Sequence, residues 1–274
     1  MQTKKENKKQ TAKDFLTSAA ALTGALGASV GGALATEAFI HVDQNNYPNI
    51  HTPEGADLTN KIVAAHRKAT GLSNPVQTPA EAMPRNVGKR FEYGGYLPRQ
   101  AVKLFNKYSD QTLNIPENEG TVITGPRSTA FVMAHELGHR AQDYHPIGGP
   151  SQVTAALPAF AGNLAALGLS ATAKTNRGAV AKGLLASYIG SAPRIISELT
   201  ATRLGNEYIK ASGVEPNKTV SALQPIGYLL QPAAEAAANI ALGRLVSPLI
   251  RKLKNRKNKA QQETTVSPEV QSVV

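Results

Sequence analysis

The chain has 274 residues, a formal charge of +11 and no cysteine. That length suffices for one ordinary domain with added segments, or for two small ones. The missing thiols exclude disulfides and thiolate metal sites, so any metal must be held by His, Asp or Glu. The charge sits at the ends: residues 1–13 carry a net +4, residues 251–259 (RKLKNRKNK) a net +6, and everything else +1. A nucleic-acid binder would show a basic face across its folded body, so no nucleic-acid partner is expected. Two basic tails, 1–14 and 251–274, each beside an apolar stretch, match the Lys and Arg excess on the cytoplasmic side of membrane helices. The plainer reading is two solvated, disordered tails.

Residues 15–40 (FLTSAAALTGALGASVGGALATEAFI) contain one charge, Glu37. As a helix they are long enough to cross a hydrocarbon core of roughly 30 Å. Gly27 and Gly31 form a GxxxG pair, which lets a second helix approach closely. A signal peptide shares the basic lead but has a shorter apolar part.

Residues 41–127 read as non-membrane. Thr52 and Pro53 are a cap and a first position for a helix that Gly71 would stop. Residues 98–108 are a second helix. Residues 111–116 and 121–124 alternate as two short strands around a Glu-Asn-Glu-Gly turn, a hairpin whose second strand offers an edge for an extended substrate. Gly125-Pro126 ends it, and Ser128 or Thr129 caps a helix over about 128–143. After a breaker at Pro146–Pro150 come three Ala-rich apolar segments, 152–172, 178–197 (with a kink expected at Pro193) and 220–250. The fold class expected is mainly α with a small β-hairpin or sheet. The layout expected is an anchor at 15–40, a catalytic region over 41–215, an apolar helical segment at 216–250, and at least two membrane crossings.

Residues 135–139 read His-Glu-Leu-Gly-His. Four residues apart on a helix, His135 and His139 share a face and can reach one ion. Glu136 between them is free to act as general base toward a water whose pKa zinc lowers to roughly 7. Zinc needs a third protein ligand. His145 stands at the spacing of the HExxHxxGxxH class, but Gln142 replaces its glycine and no Met follows Met133. Glu198, with small Ala201 and Thr202 after it, is the preferred alternative, and Glu207 and Glu235 are reserves. Tyr208, Arg203 and His145 are candidates to stabilise an oxyanion, and Asp143 to orient a ligand histidine. His41, His51 and His66 have no partner at ligand spacing.

The run His135-Glu-Leu-Gly-His139-Arg-Ala-Gln142, then apolar helices and Glu198-Leu-Thr-Ala201-Thr202, resembles the bacterial membrane-associated neutral zinc metallopeptidases, gluzincins of the pattern HExxH … ExxA[ST]. The likeness covers about 125–215. It implies a zincin-like fold around the HExxH helix and a zinc endopeptidase acting on a protein or peptide. It also implies one Zn2+ on His135, His139 and Glu198, with lipids around an anchor. The tails are expected on the cytoplasmic side. Two other readings are a non-catalytic membrane or virion-type structural protein with a vestigial zincin helix, and a soluble or secreted enzyme using His145.

Overall fold

The structure is a computed structural model that describes Ala19, Thr23 and residues 37–73, 76–77, 92–108, 113, 115, 119–145 and 149–265. Most of the expected anchor 15–40 lies outside the described residues; its end, 37–40, is helical and runs on to 46.

Helix α1 (Pro53–Thr70) starts as read: the Thr52 side chain accepts from the Gly55 N–H, Pro53 opens the first turn, and Gly71 closes the helix at φ 73°. That left-handed backbone suits glycine, which has no Cβ to clash. Strands β1 (Val76–Gln77), β2 (Gly95–Leu97) and β3 (Thr121–Ile123) form a three-stranded sheet in the order β1-β3-β2. β3 pairs parallel with β1 and antiparallel with β2, and all three of its residues are buried. The expected hairpin between 111–116 and 121–124 is therefore corrected. Leu113 and Ile115 lie outside the sheet and pack with Val102 and Ile123, while the Leu113 N–H is taken by Oδ1 of Asn106. Their alternation reports burial and not pairing with β3; residues 111, 112, 114 and 116 lie outside the described residues. As the central strand, β3 also has no free edge for a substrate.

Helix α2 (Arg99–Tyr108) leads to β3, and α3 (Ala130–Tyr144) follows it. Thr129 is the cap of α3, accepting from the Val132 N–H, a contact worth about 1 kcal/mol. Phe131 packs on Phe39 and Tyr47, with ring centroids 5.9 and 5.5 Å away, and Met133 and Leu137 complete the buried side. Only Val132, Glu136 and Tyr144 on α3 keep solvent contact.

Three long helices complete the described residues: α4 (Gln152–Thr172), α5 (Asn176–Ala211) and α6 (Lys218–Thr265). Helix α5 runs on through Pro193, so Glu198 belongs to the same helix as the segment 178–197. The basic run 251–259 is helical, where a disordered tail was expected. Lys, Arg, Gln and Ala are good helix formers, and no Gly or Pro interrupts them before Pro268.

The chain divides into two compact units. One comprises 30–160 and 191–231 and contains the sheet, α1, α2 and α3. The other takes 161–190 from α4 and α5, and α6 from Pro232 onward. In this second unit the packing is inverted. Leu185, Ile189, Leu245 and Leu249 are more than half exposed. Most buried positions are small or polar, among them Ala166, Ser170, Ala179, Ser187, Ala236 and Arg244, with Ile240 a large apolar side chain buried beside them. Asn163 donates to Glu235 (2.6 Å) and accepts from Ser187 and Asn239. Arg244 is 0% exposed and donates to the Ala173 carbonyl at 2.9 Å and to Asn176. Gly162 meets Gly190 so closely that a Cβ there would stand 2.7 Å from the Gly190 Cα.

Candidate metal centre

Helices α3 and α5 cross with their backbones in contact. A Cβ on Gly138 would lie 2.4 Å from the Ala201 carbonyl oxygen, and one on Gly205 would lie 2.9 Å from the His135 nitrogen. This approach, which the small residues at 201 and 202 permit, lets the short Glu198 side chain reach both histidines. Its Oε2 lies 3.3 Å from Nε2 of His135 and 3.0 Å from Nε2 of His139. All three side chains are buried, and their ligating atoms lie within 4.8 Å of one another. Two donors about 2.05 Å from one ion at a tetrahedral angle stand roughly 3.3 Å apart, so the cluster has the spacing of a metal-binding face. The group can hold a metal ion; the donor set of two imidazoles and a carboxylate suits zinc.

The outer contacts fix the tautomers. Nδ1–H of His139 donates to Oε1 of Gln142 at 3.2 Å. Oγ1 of Thr202 lies 3.2 Å from Nδ1 of His135, and its single proton is directed at the Glu198 carbonyl (3.0 Å) or at Oε1 of Gln224. Nδ1–H of His135 is therefore the donor in that pair. Each Nε2 is thus the nitrogen turned toward Glu198, where Nε2–H of His139 donates to Oε2 at 3.0 Å, and these are the two nitrogens that metal ligation would use. Burial alone would raise the Glu198 carboxyl, but the two imidazole contacts hold it well below the usual carboxylate range. For His139, burial acts downward and the Glu198 hydrogen bond and charge prevail, lifting it above its ordinary value.

Glu136 follows His135 on α3 and is half-buried, so it combines proximity with access to water. The remaining candidates are elsewhere. Nε2 of His145 donates to the Thr70 carbonyl, and His145 is not part of the cluster. Glu207 pairs with Arg203 on the surface, and Glu235 is bound by Asn163. Tyr208 is buried edge-on against His66, with ring centroids 5.4 Å apart. Asp143 accepts from Tyr96 (2.6 Å) and from the Arg99 backbone, so the orienting role assigned to it is filled by Gln142 and Thr202 instead. His41 contacts Asn45, and His51 the Gly125 carbonyl.

Sequence reading named Gln142 and Thr202 without assigning them these contacts, and did not name Gln224 or Tyr228. Gln142 is three positions after His139 and Thr202 four after Glu198, so helical periodicity alone could have found them. Gln224 and Tyr228 come from α6, where only their i, i+4 spacing inside an apolar stretch was available as a signal. A groove of about 660 Å3 is lined by Thr202, Leu199 and Arg203 of α5 and by Ala222 and Pro225 of α6. Thr202 thus belongs both to this groove and to the cluster.

Comparison with protein-family models, with curated proteins and with solved structures returned no match.

Proposed function

We propose that this protein is a membrane-bound zinc endopeptidase of the gluzincin type. The observation that carries the reading is the buried cluster of His135, His139 and Glu198 with Glu136 beside it on a solvent-reaching face. Zinc held by those three residues would acidify a water and polarise a peptide carbonyl.

The chain's own residues account for the rest of the chemistry. Glu136 takes one proton from the attacking water. The water oxygen bonds to the carbonyl carbon as the carbonyl π pair moves onto oxygen. On collapse, that pair re-forms the carbonyl, the C–N bond breaks, and the proton held by Glu136 passes to the leaving nitrogen. The products are a carboxylic acid and an amine, and Glu136 is again a carboxylate. Thr202 and Gln142 keep both imidazoles turned so that their Nε2 atoms face Glu198.

Membrane attachment is supported by two independent features. Thr154–Thr172 is, among the described residues, the one segment long and apolar enough to cross a bilayer. The Ala- and Gly-rich segments 178–197 and 220–250 fall short on composition, which leaves multi-pass topology to the second feature. The 161–190/232 onward unit has most of its Leu and Ile outward, mainly small and polar residues inward, glycine-mediated helix contact and a basic end at 251–259. Helices surrounded by lipid pack in this way, because burying small residues brings backbones together and leaves large apolar side chains to the acyl tails.

Metal analysis and peptide hydrolysis test the proposal on the full chain in detergent. Wild type should hold about one zinc. Glu136→Gln should keep that zinc and lose about 10²–10⁴ in kcat. Full activity in Glu136→Gln, or wild type free of zinc after metal supplementation, would reject the reading.

A further inference from the structure

The unit of 161–190 and 232 onward gathers its positive charge at one end. Arg244 of α6 donates to the Ala173 carbonyl and to Asn176, so the turn between α4 and α5 sits beside residue 244. A Cβ on Gly243 would stand 2.8 Å from the Leu167 carbonyl oxygen and 2.9 Å from the Ala171 nitrogen, which fixes the same alignment of α4 with α6. That turn carries Lys174 and Arg177, both exposed. Helix α6 continues past it and, about two to four turns further on, carries Lys252, Lys254, Arg256 and Lys257, also exposed. Arg251 is not among them, since its guanidinium turns back onto Ser247. No acid stands between Glu235 and Glu263 on α6, and none in 161–190.

The same stretch of α6 has an apolar side. Leu242, Leu245, Val246, Leu249 and Leu253 are between 43% and 59% exposed and recur at steps of three and four, so they form one stripe. Ile240, Arg244 and Ser247 are buried on the opposite side. We infer that this end of the unit binds the headgroups of anionic phospholipids, with the stripe in the acyl region and the cations at the level of the phosphates. The inference rests on the membrane attachment proposed above and not on the peptidase chemistry. Cations just beyond an apolar helical segment are drawn to an anionic leaflet. Lysine and arginine stems are long enough to reach the headgroups from a helix that lies partly in hydrocarbon. A polynucleotide would answer the charge and leave the leucine stripe in water, whereas a bilayer surface answers both.

The test is calorimetric titration of the full chain, in neutral detergent micelles, with phosphatidylglycerol or phosphatidylcholine presented in the same micelles. Wild type should bind phosphatidylglycerol at least ~10-fold more tightly, and about 0.5 M NaCl should remove most of that preference. The combined variant Lys252→Gln, Lys254→Gln, Arg256→Gln and Lys257→Gln retains helix propensity. It should lose at least ~10-fold in phosphatidylglycerol affinity, with the far-ultraviolet helical signal unchanged. A control with Lys61, Lys68, Lys103 and Lys107 changed to Gln removes the same charge from exposed positions of the other unit, and should keep the preference. Equal affinity of wild type for the two lipids, or a preference that survives the combined variant, would overturn the inference. So would an equal loss in the control, which would leave net charge as the whole effect. A single-stranded oligonucleotide that binds through the four α6 cations more tightly than phosphatidylglycerol would assign this end to nucleic acid instead. If the chain stayed monodisperse in water without detergent, the membrane reading itself would fall, a result distinct from any of these.

Discussion

The unit with the His135–His139–Glu198 cluster and the unit built from 161–190 and 232 onward place their polar groups by opposite logics. In the first, large apolar side chains (Phe131, Met133, Leu137, Ile62) fill the core, and the buried charges are each held by named contacts. Arg140 donates to the Gly120 and Ser73 carbonyls, Asp143 accepts from Tyr96, and Glu198 lies between two imidazoles. In the second, Asn163, Ser187 and Arg244 turn inward while Leu185, Ile189, Leu245 and Leu249 turn outward. A core that excludes water draws its stability from apolar burial. A bundle whose exterior is apolar has no such gradient to use and is held by close backbone packing and interior hydrogen bonds. The difference is what the proposed membrane attachment calls for: one chain written for two solvents.

Titration breaks the comparison most strongly, because two buried ionisable groups in the first unit bend its stability in opposite directions. His66 is 0% exposed, and neither ring nitrogen has a partner. Burial, with Arg140, Arg67 and His145 nearby, lowers its pKa to about 3. Its contribution is complete above the unfolded value of roughly 6.5 and is lost as pH falls toward 3, up to about 5 kcal/mol. Denaturant melts across pH 3–7 should show this loss in wild type and not in His66→Phe. Asp43 has the opposite sign. Burial raises it to about 7 against the Thr129 hydrogen bond, and its Oδ1 has no partner. Stability tied to the protonated form is complete below about pH 4 and is lost as pH rises through 7, by about 4 kcal/mol at most. Asp43→Asn should remove that slope; a slope unchanged in the variant would refute the assignment.

The outward face of the second unit is probed by Leu185, which is 62% exposed. If lipid covers it, Leu185→Asp should cost about 3 kcal/mol in bilayer reconstitution. On a face bathed in water the same change stays within about 0.5 kcal/mol, and that result would cancel the contrast between the units. The smallest effect is expected at Thr202. Thr202→Val keeps the shape and removes the acceptor for Nδ1–H of His135. Zinc affinity, measured by chelator competition, should fall about 10- to 100-fold with the fold intact.

The parts of the molecule that were legible in the sequence are those governed by local rules. The Thr52 cap, Pro53, the Gly71 stop and the Thr129 cap depend on a few consecutive residues, and the structure has them where the chain suggested. The i, i+4 pair of His135 and His139 and the small residues beside Glu198 are also local, and they sufficed to bring three donors into one group. What was not legible depends on distant pairing. Nothing near 121–123 announces partners at 76–77 and 95–97. Nothing near Gln224 or Tyr228 announces that α6 reaches the cluster. The inward polar groups of the second unit were similarly hidden, since mean composition records which residues a helix has and not which way they face.

The contact between Gly138 and Ala201 gives the second variable position of the HExxH run a role that its chemistry would not suggest. Any side chain at 138 acts as a shim between two rods. An alanine there would hold the α5 backbone off by an ångström or more and draw Glu198 back from both imidazoles, while leaving each donor chemically unchanged. Whether the three donors meet at one point is thus set by the thickness of one residue that is not among them.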